Sequence, residues 1–211
     1  MKFQLCAAVA GIALLAASGA SAQSTVPVGP YVQVNLGSSV AGKTDFSATT
    51  GSFSGSQDAD LDKGFFGSAA AGLTFDNSVS LEGELLYSKN DIDTADIDRV
   101  LGRKLEASVK TTAIMANAFY NIGGLGPINA RVGAGVGYGR SEYKMLGASD
   151  KDGGLAWQVM VAGAYPVTDK MSLDLGYRYL RTAEYEASDG VTKASAETGA
   201  HVVTVGARFG F

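Results

Sequence analysis

Beyond residue 22 this sequence has no cysteine, because its single cysteine is Cys6. Disulfide staples and thiol chemistry are therefore excluded from residues 23–211. Nor does any apolar run after residue 22 approach the roughly 20 residues a membrane-spanning helix needs. Positive charge is in short supply. With Lys2 set aside, 16 of the 17 basic residues remain against 21 acidic ones, a net charge of −5. Nucleic-acid binders concentrate positive charge, so no nucleic-acid partner is expected. Proline is scarce at 4, and the 28 glycines follow neither a collagen period nor the bias of a disordered chain. Histidine occurs once, as His201, so a histidine-based catalytic site would rest on that one imidazole.

The N-terminus is informative. Met1 and Lys2 supply a positive start, Leu5 to Ala17 form a short apolar stretch, and Ala20-Ser21-Ala22 is a small-residue cleavage pattern. Residues 1–22 therefore read as a cleaved secretory signal peptide. Residues 23–211 are 189 residues, enough for one domain.

The opposite end carries the strongest pattern. Val203, Val205, Ala207, Phe209 and Phe211 share one parity and are all apolar, while Val202, Thr204, Gly206, Arg208 and Gly210 share the other. Alternation over this length means a strand with one oily face and one mixed face. A chain that crosses a membrane without an apolar helix must close its backbone hydrogen bonds as a barrel. Eight such strands are expected, near 30–40, 63–75, 78–88, 107–122, 128–143, 154–166, 170–182 and 199–211. Short turns at Asp76-Asn77, 123–127 and 167–169 alternate with long polar segments at 41–62, 89–106, 144–153 and 183–198. Short periplasmic turns and longer outer loops are the usual organisation of such barrels.

Two orientations fit the alternation. A soluble barrel would turn Met171, Leu173, Leu175, Tyr177 and Tyr179 inward around a greasy ligand. A membrane barrel turns them outward and encloses Ser172, Asp174, Gly176 and Arg178. The second is favoured by the leader, by the terminal Phe, and by the aromatics. Tyr31, Phe75, Tyr87, Tyr120, Tyr138, Tyr165, Tyr177, Tyr179, Phe209 and Phe211 lie near strand ends, as interfacial girdles would. Trp157, Val159 and Val161 likewise read as lipid anchors.

The closing strand Ala207-Arg208-Phe209-Gly210-Phe211 and the stretch Leu173-Asp174-Leu175-Gly176-Tyr177-Arg178-Tyr179 resemble small eight-stranded outer-membrane barrels. These are the barrels related to the OmpA membrane domain and to the opacity and alphaproteobacterial surface-antigen porin-like proteins. The resemblance covers residues 23–211 and implies an all-β, eight-stranded antiparallel up-and-down transmembrane barrel in the outer membrane of a Gram-negative bacterium, monomeric. It implies that Phe211 and Phe209 serve as an assembly signal for the barrel-assembly machinery. Members of this group act as surface antigens, adhesins or envelope-stabilising proteins, and occasionally as lipid-modifying enzymes or weak pores.

Within that frame Glu82, Glu84, Arg131, Asp174, Arg178 and Arg208 should point into the lumen, three acids and three bases. An eight-stranded interior is just wide enough for side chains to fill it. A salt-bridged plug is expected, with a charged, ion-selecting constriction as the alternative. Gly133, Gly135, Gly137 and Gly139 share the inward face of the fifth strand. They lack the spacing of a dinucleotide fingerprint, and are expected to leave room for Arg131 and Arg178.

The acid-rich segments Asp58 to Asp62 and Asp91 to Asp98 lack the glycine-turned loop and distal Glu of an EF-hand, so solvated loops are expected and no metal or cofactor. Lys43, Lys89, Arg99, Arg103, Lys104, Lys144, Lys151 and Lys193 lie in or beside the loops, placed to touch lipopolysaccharide phosphates; a host or envelope partner would also bind there. A barrel deacylase would need a serine close to His201, where Val203 stands, with Ser195 and Glu197 nearby in the loop. No motif surrounds His201, so no enzyme is expected.

Overall fold

The computed structural model describes residues 28–50, 53–60, 64–76, 78–91, 107–145, 148–188 and 192–211. They form nine strand segments: β1 (Gly29–Thr50), β2 (Phe53–Asp60), β3 (Gly64–Thr74), β4 (Val79–Asp91), β5 (Ala107–Leu125), β6 (Ile128–Met145), β7 (Ala148–Pro166), β8 (Met171–Ser188) and β9 (Thr192–Gly210). Every pairing is antiparallel. The order is β2-β1-β3-β4-β5-β6-β7-β8-β9, and β1 also pairs with β9, which closes the sheet. β2 and β3 occupy the same side of β1 one after the other, so eight staves surround the lumen. Within the apolar belt closure leaves no free sheet edge, as a lipid surround requires; beyond it β2 pairs with β1 alone.

Alternation decides which way each side chain faces. β4 runs exposed and buried residue by residue, with Leu81, Leu85 and Tyr87 outside and Ser80, Glu82, Glu84, Leu86 and Ser88 inside. On β8, Leu173 and Leu175 lie outside, while Asp174, Arg178 and Leu180 are buried. The exposed row is apolar and the enclosed row largely polar, the inverse of a soluble barrel. Ile128 to Tyr138 on β6 bound this apolar belt. Ten residues extend about 33 Å along a strand, or about 25 Å along the axis at a tilt of about 40°, matching the height of a lipid-facing band.

Short turns gather at one end. Phe75 N–H donates to the Val79 carbonyl at 2.8 Å, with Ser78 at φ 66° between them. Gly126, at φ 66°, supplies the left-handed conformation needed in the two-residue turn after β5. The Thr168 hydroxyl accepts the Met171 N–H at 3.0 Å and fixes the third turn. This is the periplasmic end by the usual barrel organisation.

The opposite end differs from the sequence expectation. The polar segments 41–62, 144–153 and 183–198 carry much strand rather than irregular loop. Residues 43–50 pair with 53–60 on one side and with 192–199 on the other. β6 and β7 stay paired to Met145 and Ala148, and β8 and β9 to Ser188 and Lys193. The ladders thus run on past the apolar belt as hairpins. In water both faces of a hairpin are free to be polar, so the alternation that marked the membrane strands fades there. Residues 92–106, with Asp93, Asp96, Asp98, Arg99, Arg103 and Lys104, lie outside the described residues. So do 1–27 and 61–63.

Candidate functional site in the barrel lumen

All six lumen residues read from the sequence are buried on the inward face. The structure gathers them into one layered network. In the middle layer Arg178 Nη1 donates to Glu84 Oε1 at 2.7 Å and to Gln158 Oε1 at 3.1 Å. Gln158 Nε2 and Asn117 Nδ2 both donate to Glu84 Oε2, at 2.8 and 2.9 Å. Glu84 therefore has both oxygens engaged while its side chain is 0 % exposed. Such satisfaction is what makes a buried charge tolerable.

Nearer the periplasm, Arg131 Nη2 pairs with Asp174 Oδ2 at 2.5 Å and donates to Gln33 Oε1 at 3.0 Å. Arg208 Nε shares that Gln33 oxygen at 3.1 Å. Glu82 accepts from the Tyr31 hydroxyl and from Asn117, each at 3.1 Å. Each guanidinium also lies over a ring: Arg131 over Phe119 and Arg178 over Phe66 at 4.6 Å, and Arg208 over Tyr31 at 4.1 Å. Cation–π contacts of this kind strengthen where water is excluded.

Above the charges lies an apolar layer that the sequence reading did not assemble. Phe66, Leu86, Ala113, Met115, Ala156, Leu180, Ala200 and Val202 form one buried cluster on the outer side of Glu84 and Arg178. A void of about 20 Å³ remains beside Arg131, Asp174 and Arg178, and an open cavity of about 400 Å³ lies at the periplasmic mouth.

Two expectations need correction. Tyr31 is not a girdle aromatic; it is 3 % exposed and points inward to Glu82. Its parity is that of Gln33 and Asn35, with Val32 and Val34 on the lipid side, so parity outweighs nearness to a strand end. The β6 glycines do not make room for Arg131 and Arg178. A Cβ at Gly133 would strike the Phe119 ring, at Gly135 the Asn117 amide, and at Gly137 the Met115 backbone and sulfur. Side chains and backbone of β5 lie against β6 at these three positions, which is why the stretch between Arg131 and Ser141 carries glycine there. The neutral partners Gln33, Asn117 and Gln158 were not singled out either; their inward parity was the available signal.

Outside the barrel, His201 Nδ1 lies 2.5 Å from the Tyr177 hydroxyl and its ring 4.8 Å from that of Tyr179. Trp157 meets Tyr179 edge-on at 5.5 Å. With Tyr87 and Tyr138 these residues form an aromatic band at the outer end of the apolar belt. Phe75, Tyr120, Tyr165, Phe209 and Phe211 mark the other end, with the rings of Phe209 and Phe211 in edge contact at 5.4 Å. The side chains of Asp58, Asp60, Lys43, Lys144, Lys151, Lys193, Ser195 and Glu197 lie outside the described residues.

A closed antiparallel barrel with a lipid-facing apolar belt, aromatic bands at both ends and a charged interior defines a transmembrane β-barrel. Comparison with known proteins agrees. Residues 7–209 match the family model for the outer membrane protein beta-barrel domain, and the chain belongs to that family. Its location is the outer membrane, within lipid and lipopolysaccharide. An uncharacterized protein of Brucella abortus (strain 2308) is 38% identical over 90 residues, covering 36% of this chain and 31% of its own length. The match thus spans about a third of that relative. Among solved structures, Neisserial surface protein A is 20% identical with a TM-score of 0.51, covering 86% of this chain and 97% of its own. OprG from Pseudomonas aeruginosa is 12% identical with a TM-score of 0.52, covering 90% and 99%. At these identities the likeness concerns the fold.

Proposed function

We propose that this protein is a closed, non-catalytic scaffold that carries its outer hairpins at the cell surface for interaction with other molecules, as a surface antigen or adhesin does. The observation that supports this reading is the division of the barrel. The lumen holds an ion-paired layer capped by an apolar layer, while the ladders continue beyond the outer aromatic band as hairpins. A rigid scaffold that projects loops is the usual setting for recognition.

A leader at residues 1–22 would direct the chain outward, and Phe209 and Phe211 would present it to the barrel-assembly machinery. Lys89, Lys110 and Arg140 stand on the outward face just beyond Tyr87 and Tyr138. They are placed for lipopolysaccharide phosphates, a contact that salt should weaken by screening. For catalysis, His201 is poorly situated: it faces outward, bonds a tyrosine, and has Val203 as the next residue on its face.

The test is to replace residues 44–59 by a two-residue turn in cells that display the protein. The heat-dependent gel shift of a folded barrel should persist while attachment of those cells to host or envelope surfaces falls. Unchanged attachment after each described hairpin is shortened in turn would contradict the proposal.

A further inference from the structure

We propose that the periplasmic mouth of the barrel binds a small oxyanion, phosphate or carboxylate, between Arg131 and Arg208. Both arginines line the cavity of about 400 Å³ at that end, with Lys170 at its rim and Asp169 as its one acidic lining residue. Arg131 is 4 % exposed and Arg208 is 8 % exposed. Even so, Nε and Nη1 of Arg131 and Nη2 of Arg208 have no hydrogen-bond partner. Three unfilled donors on two buried cations, beside one cavity, are the opposite of how buried charge is normally arranged.

The acids of the lumen do not cover this shortfall. Glu84 is held by Arg178, and Asp174 engages only Nη2 of Arg131. Glu82 accepts from Tyr31 and Asn117 instead. Among the described residues, no carboxylate lies within ion-pair distance of Arg208, which has only the Gln33 oxygen and the Tyr31 ring. Guanidinium N–H groups make strong charge-assisted hydrogen bonds to oxyanions, and here they would be donated singly from two residues, by Nε and Nη1 of Arg131 and Nη2 of Arg208. An anion entering from the periplasm would supply the missing acceptors. The apolar layer around Phe66, Leu86 and Val202 stands beyond it, so the site is a dead end and not a step in conduction.

The experiment titrates inorganic phosphate and, separately, acetate into the protein purified from outer membranes in a non-ionic detergent. Binding is read by calorimetry and by the arginine Nε–Hε NMR signals. A short-chain phosphatidylglycerol, titrated the same way, distinguishes a lipid phosphate from a free one. Saturable binding of any of these with shifts at Arg131 and Arg208 is expected, weakened about tenfold or more by Arg208→Gln or Arg131→Gln. Arg181→Gln, on the outward face of β8 toward the opposite end, should bind as the parent does. Should a lumen variant fail to fold, the NMR shifts of the unaltered protein decide the matter. Absence of saturable binding up to about 10 mM, or binding unchanged in the folded Arg131→Gln, Arg208→Gln double variant, would overturn the proposal.

Discussion

Removing Arg178 should expose how strongly the lumen network supports the barrel. Glu84 is fully buried and accepts one guanidinium N–H and two amide N–H groups. Arg178→Ala deletes the only cation in that set and leaves the carboxylate with the neutral donors Gln158, Asn117 and Ser68. It also strips the guanidinium from the face of Phe66. Breaking a buried ion pair by deleting one partner costs about 3–5 kcal/mol, a shift of about two to four orders of magnitude in the folding equilibrium. The double variant Arg178→Met, Glu84→Gln removes both charges, keeps similar volume and preserves an acceptor for Gln158 and Asn117. It should recover most of the loss, because neutral replacement of a whole buried pair is often tolerated. The assay is reversible urea unfolding in lipid vesicles, with the parent, Arg178→Met, Glu84→Gln and their double variant compared at one lipid composition. A single variant as stable as the parent, or a double variant as weak as the sum of its parts, would refute the network.

Three further outcomes follow from the same geometry. Leu175 and Val205 face each other across β8 and β9, 62 % and 60 % exposed. Arginine at either should destabilise the vesicle-embedded protein by about 2–4 kcal/mol if the position lies near mid-bilayer; urea unfolding without change would contradict the lipid-facing assignment. Phe66→Ala hollows the apolar layer and should cost about 3–5 kcal/mol, and combined with Leu86→Ala it should let small ions leak from loaded vesicles. Gly135→Val drives a side chain into the Asn117 amide that serves Glu82 and Glu84, with an expected loss of about 1–3 kcal/mol in the same unfolding assay.

The barrel was legible because lipid imposes a binary pattern. From Leu173 to Tyr179, and from Val203 to Phe209, a residue either meets hydrocarbon or faces the lumen, and period-2 alternation records the choice. The same parity assigned Glu82, Glu84, Arg131, Asp174, Arg178 and Arg208 to one side. Which acid meets which base was not legible. Glu84 and Arg178 are separated by 94 positions, and Glu82 has the same parity as Glu84 but a different set of partners. That selection depends on stagger between strands, and alternation within a strand is blind to it. Tyr31 misled because an aromatic near a strand end fits a girdle as well as a lumen. The outer hairpins look like loops in sequence because water on both faces removes the hydrophobic signal while leaving the backbone ladder intact. The β6 glycines were conspicuous in sequence, yet their cause lies on β5, in Phe119, Asn117 and Met115.

The central claim is that the lumen is closed, and single-channel recording tests it most directly. The protein, refolded and verified by its heat-dependent gel shift, is inserted into a planar bilayer at moderate salt. A silent bilayer is predicted, because Glu84, Arg178 and the Phe66–Leu86–Val202 layer fill the cross-section. Discrete openings whose conductance changes on substitution of Glu84 or Arg178 would contradict that claim and make the protein a narrow ion pore.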